Sequence, residues 1–136
     1  MYHHAVISVE DLHGIAAARL EDARVLLENE RFDGAAYLCG YAVELALKAR
    51  ICVTLNWQGF PETRAEFENY SSFKTHKLDV LLRLSGQESR IKTEHLSDWS
   101  AIVTWDPEAR YKAVGRADRQ NIELMWLSVI FLLGVL

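Results

Sequence analysis

Residues 35–50 read AAYLCGYAVELALKAR. Small, apolar and aromatic side chains fill it, without proline and without period-two alternation, so it predicts a helix built for burial. Glu44 and Lys48 are then out of place, because a buried charge costs several kcal/mol unless it is paired. Successive helical residues advance by about 100°, so with Tyr37 at zero, Tyr41 falls at about +40°, Glu44 at about −20° and Lys48 at about +20°. Two phenols, a carboxylate and an ammonium therefore share one narrow line. That line either faces solvent, pins two helices together, or faces a ligand or an interface. If it is buried, Glu44 needs a cation. Arg110 in WDPEARY (residues 105–111) is the expected partner, with Lys48 as the local alternative.

Outward from this helix the pattern stays helical. Ser8, with Asp11 three residues on, resembles a capping box and starts a first helix. Leu12, Ile15, Ala16, Leu20, Ala23 and Leu27 follow with i, i+3, i+4 spacing as a core-facing stripe. Glu21, Asp22, Arg24 and Glu28 take the other side. NERFDG (residues 29–34) is a short turn with Asp33 as the cap of the second helix, which runs from about Gly34 to about Leu55, so the two helices form an antiparallel hairpin. A loop follows. Thr75 is the expected cap of a third helix in HKLDVLLRL, stopped at Ser85-Gly86. A fourth segment, about Glu88 to Val103, places Ile91, His95, Trp99 and Ile102 on one face. Asp106 and Pro107 restart the chain, and after a break near Gly115 a last helix runs from about Ala117 to the end. The expected class is all-α, an antiparallel bundle of four to five helices forming one domain over residues 1–136.

The bulk numbers agree with a globular domain. The chain has 136 residues, half of them apolar and a quarter charged, which suffices for a core without disulfides or a structural metal. Its net charge of −4 argues against a general electrostatic grip on nucleic acid or anionic membrane. Cys39 and Cys52 would stand roughly 19 Å apart on one helix, beyond disulfide reach, so they read as buried thiols of a reducing, cytoplasmic compartment. MYHHAVISVEDL lacks the pattern of a leader peptide. The apolar end, IELMWLSVIFLLGVL, is shorter than the roughly 20 residues that cross a bilayer and reads as a buried terminal helix. Ending on an apolar residue, it leaves room for the natural chain to continue past Leu136.

The stretches ARLEDARVLLENERFDGAAYLCGYAVELALKA, THKLDVLLRL and WDPEARY together resemble the HEPN domain family, prokaryotic helical domains often found with minimal nucleotidyltransferases. The likeness spans Ala18 to the C-terminus. It is most specific at Y..YAVE..LKA (residues 37–49) and in the set Trp105, Arg110, Tyr111. The resemblance implies a bundle that homodimerises, with the dimer cleft as functional surface. It also implies, for many members, an RNA-cleaving toxin neutralised by a nucleotidyltransferase partner. Those members carry an arginine followed about four to six residues later by a histidine before the last helix. The histidine moves protons at the 2′-hydroxyl or the leaving oxygen, and the arginine holds the phosphate, without a metal.

Formally, RIKTEH supplies Arg90 and His95 as such a catalytic pair. On a continuous helix, however, they stand about 140° apart, and Arg110 better matches the family position. No histidine follows Arg110; the five are His3, His4, His13, His76 and His95. His3 and His4 with His13 form a weak metal pattern, and the reading assigns no metal and no cofactor. His76 reads as a cap-region residue packing on the second helix. Arg110, Lys112, Arg116 and Arg119 make the chain's main basic concentration, either a solvated face or a phosphate-holding one. Three functions follow. The first is a homodimeric nucleotide- or RNA-binding module working with a minimal nucleotidyltransferase in a toxin–antitoxin-type pair. Its ligand or interface residues are Tyr37, Tyr41, Glu44, Lys48, Arg110, Tyr111 and Arg116. The second is a metal-independent ribonuclease toxin using Arg90 and His95. The third is a helical adaptor without a ligand.

Overall fold

Ser8 opens the first helix as its spacing predicts: its hydroxyl oxygen accepts from the backbone N–H of Asp11 at 3.1 Å, which satisfies one of the donors a helix start leaves bare. The computed structural model describes residues 6–61, 73–107 and 117–136. Along these the chain forms β1 (Val6–Ser8), α1 (Val9–Glu28), α2 (Phe32–Leu55), β2 (Gly59–Pro61), α3 (Leu78–Leu84), α4 (Glu88–Glu94), α5 (Leu96–Ile102) and α6 (Arg119–Val135). The class is all-α, a helical bundle with one small two-stranded ribbon.

α1 buries Leu12, Ala16, Ala23 and Leu27, four members of the expected stripe. Its outer face is laced by Arg24 with Glu21 and Glu28, and by Arg19 with Asp22. The helix ends in a Schellman turn: Arg31 N–H reaches the Leu26 carbonyl at 2.8 Å and Glu30 N–H the Leu27 carbonyl at 3.1 Å, with Glu30 at φ 60. This turn lets α2 begin at Phe32, with Arg31 as its N-cap and no side-chain cap bond. Asp33 is therefore in the first turn of α2 and is not its cap. Its carboxylate accepts instead from the backbone N–H of Ala117 at 3.1 Å, and so ties the approach to α6 back to the hairpin.

α2 is the centre of the bundle. α1, α3 and α6 all pack on it, which explains why it buries residues on nearly every face, from Ala35 to Cys52. Its far end closes on Asn56 in the left-handed region, with Trp57 N–H on the Cys52 carbonyl at 2.8 Å. The chain then turns into β2, which pairs antiparallel with β1 in the register Val6↔Pro61, Ile7↔Phe60, Ser8↔Gly59. Three-residue strands are too short to show alternation, so the ribbon leaves no mark in the sequence.

The segment expected to form one helix from Glu88 to Val103 is divided at His95, which takes φ −132. The hydrogen-bond ladder nevertheless runs across: His95 N–H donates to Ile91 at 2.8 Å and its carbonyl accepts from Trp99 at 2.9 Å. Ile91, Trp99 and Ile102 are buried as the spacing predicts. Thr75 lies short of α3, where its hydroxyl accepts from Lys77 N–H at 3.2 Å; Gly86, at φ 75, ends that helix region. Asp118 caps α6, accepting from Asn121 N–H at 2.9 Å. α6 packs against α1, α2 and α5 through Ile122, Met125, Ser128, Val129 and Leu132. It is not buried all round, since Leu124, Leu127, Ile130 and Phe131 stay exposed. Among the described residues no helix is long and apolar enough to cross a membrane.

Candidate functional site

The line of residues on α2 is buried at its charged centre. Glu44 is 1% exposed, so its carboxylate must find donors within the protein. It has two. Lys48 Nζ lies 3.0 Å from Oε2, one turn along the helix. His76 Nδ1 lies 3.1 Å from both oxygens, reaching in from the segment before α3. Lys48, 16% exposed on its side chain, also sits 5.2 Å from the centroid of the Phe60 ring, so the ribbon strand β2 covers this ammonium. Sequence reasoning named Lys48 and missed His76 as a partner. The expected partner Arg110 lies outside the described residues, as do Tyr111, Lys112 and Arg116.

The phenols continue the line. Tyr37 and Tyr41 stack with centroids 6.5 Å apart and planes 13° from parallel. Burial, and then the neighbouring Glu44 carboxylate, push the Tyr41 hydroxyl above its ordinary range, so it stays a neutral donor. Trp105 closes the upper end: its indole N–H donates to the Tyr37 carbonyl at 3.1 Å, and its ring lies 6.1 Å from that of Tyr37. Gly40 makes the approach possible, since a Cβ there would stand 2.1 Å from the indole Cγ. Between the start of α3 and residues 103–107 lies a groove of about 450 Å³, lined among others by Thr75, His76, Lys77, Thr104 and Trp105. His76 and Trp105, which both hydrogen-bond to α2, are thus both walls of this groove.

Arg90 and His95 are differently placed. The Arg90 guanidinium donates to the Val135 carbonyl at 2.7 Å and, through Nε, to Gln87 at 2.8 Å, so it braces the last turn of α6 against α4. His95 is half-buried at the junction of α4 and α5. Arg119, the described member of the basic concentration, pairs with Glu30 at 3.3 Å and lies over the Phe32 ring. His3 and His4 fall outside the described residues, and no group of three metal-ligating side chains occurs among the described ones. Cys39 and Cys52 are free and buried; burial pushes their thiols up to about 12 and about 11, which keeps them protonated and inert.

The architecture is a helical bundle with a partly buried polar line on its central helix. Residues 9–64, about two fifths of the chain, match the family model described as the HEPN domain, and the match covers the α1–α2 hairpin and β2. It includes Tyr37, Tyr41, Glu44 and Lys48, and stops short of His76, Arg90, His95 and Trp105. No curated protein and no solved structure matches the chain.

Proposed function

We propose that this HEPN-family protein is a homodimeric, cytoplasmic module that binds a nucleotide or RNA and works with a minimal nucleotidyltransferase partner in a toxin–antitoxin-type pair, without cleaving RNA itself. The observation that carries the binding reading is the groove walled by Trp105 and by His76, whose ring is hydrogen-bonded to the buried Glu44. A concave site with a few oriented polar groups and an aromatic wall is the form a small-ligand site takes. The exposed row Leu124, Leu127, Ile130 and Phe131 on α6 supports assembly with a second copy. Protonated, buried thiols fit a reducing compartment. The nucleotidyltransferase partner rests on the family likeness.

The commitment of Arg90 to the Val135 carbonyl and to Gln87 favours binding over cleavage by Arg90 and His95, because a phosphate would have to displace both bonds. The test is fluorescence anisotropy of a labelled single-stranded RNA and of AMP with the purified protein in EDTA, with the RNA run on a gel afterwards. Saturable binding with intact RNA is expected. Cleaved RNA whose cutting stops in His95→Ala establishes the ribonuclease reading in its place, and absence of any binding leaves the helical adaptor.

A further inference from the structure

Of Glu44, Lys48 and His76, it is His76 that is open to the outside. Lys48 already neutralises Glu44, with Nζ 3.0 Å from Oε2, so the carboxylate does not need a second cation. His76 still places Nδ1 3.1 Å from both oxygens. An ionised carboxylate can only accept, so Nδ1 carries the proton and donates; in the neutral ring Nε2, on the far side, is then an acceptor. The His76 side chain is 64% exposed and lines the groove beside Thr75 and Thr104. Trp105, on the same wall, has committed its N–H to the Tyr37 carbonyl and offers ring surface. The groove around His76 therefore suits a ligand group that donates, in a lining that carries Asp79 and Asp106 as well as Lys77.

We infer that Nε2 of His76 accepts a hydrogen bond from the ribose 2′-hydroxyl of the bound nucleotide or RNA residue, so that the groove selects ribo- over deoxyribonucleotides. This rests on the nucleotide- or RNA-binding reading and adds the group that selects. The 2′-hydroxyl is the donor that separates RNA from DNA at a given contact, and losing one such bond weakens a complex by about tenfold. Glu44 is the positioning residue: it fixes the ring and the nitrogen that carries the proton.

The test titrates the full chain with AMP against 2′-deoxy-AMP, and with a short single-stranded RNA against DNA of the same sequence, following tryptophan fluorescence. Tighter binding of the ribo form by about tenfold is expected in at least one pair, and the pair that shows it distinguishes a free nucleotide from an RNA residue as the source. His76→Ala is expected to abolish the preference, so that ribo and deoxy forms bind the variant equally. Equal binding of ribo and deoxy forms by the wild-type protein overturns the inference and leaves the binding reading standing. No binding of any of the four probes overturns both. A nitrogen-15 spectrum of the free protein gives a check that needs no variant: the neutral His76 ring is expected to carry its proton on Nδ1, and a proton on Nε2 overturns the inference.

Discussion

Gly40 shows how one residue positions the candidate site. A glycine inside a helix costs about 1 kcal/mol relative to alanine, yet this one lies in the middle of α2, the helix at the centre of the bundle. The indole of Trp105 takes the volume where a side chain would begin, and from there reaches the Tyr37 carbonyl. Gly40→Ala is accordingly expected to destabilise the protein by about 1–3 kcal/mol through overpacking, despite the gain in helix propensity, and to shift the tryptophan emission. Equilibrium denaturation followed by fluorescence checks both. An alanine variant with wild-type stability and emission would place Trp105 elsewhere.

At the scale of the element, α6 is held at both ends by bonds from distant segments. Asp33 of α2 accepts from Ala117 N–H ahead of the first turn, Asp118 caps that turn, and Arg90 of α4 donates to the Val135 carbonyl in the last. Carbonyls at a helix end have no intrahelical partner, and a cation there also meets the negative end of the dipole. Arg90→Ala is expected to cost about 1–2 kcal/mol and to speed amide exchange in the last turn of α6 while sparing its first. Unchanged exchange at that end would show that the bond does not hold the helix.

For the whole molecule, what was legible in the sequence was what neighbours on the chain decide. The Ser8 cap and the α1 stripe from Leu12 to Leu27 are local, and so are the Glu44–Lys48 pair one turn apart and the hairpin with its short connection. Asp33 misled because aspartate is a good cap, while the Schellman turn at Glu30 had already set the start of α2. The bend at His95 is hidden because the apolar spacing of Ile91, Trp99 and Ile102 continues across it. The candidate site was half legible. The stripe on α2 could be read, but its outer walls come from residues 32 and 68 positions away, and no spacing rule connects them. The buried carboxylate demanded a donor from another segment without saying which one. Sequence reasoning chose Arg110, outside the described residues, and the described chain supplies His76.

Glu44 and His76 form one interaction that ties the approach to α3 onto α2 and holds one wall of the groove. A double-mutant cycle measures it directly, using Glu44→Leu, which removes the acceptor at similar volume, together with His76→Ala and the double variant, all by chemical denaturation. The account predicts a coupling energy of about 1 kcal/mol, with the double variant less damaged than the two single effects added together. Effects that add to within about 0.3 kcal/mol would contradict it.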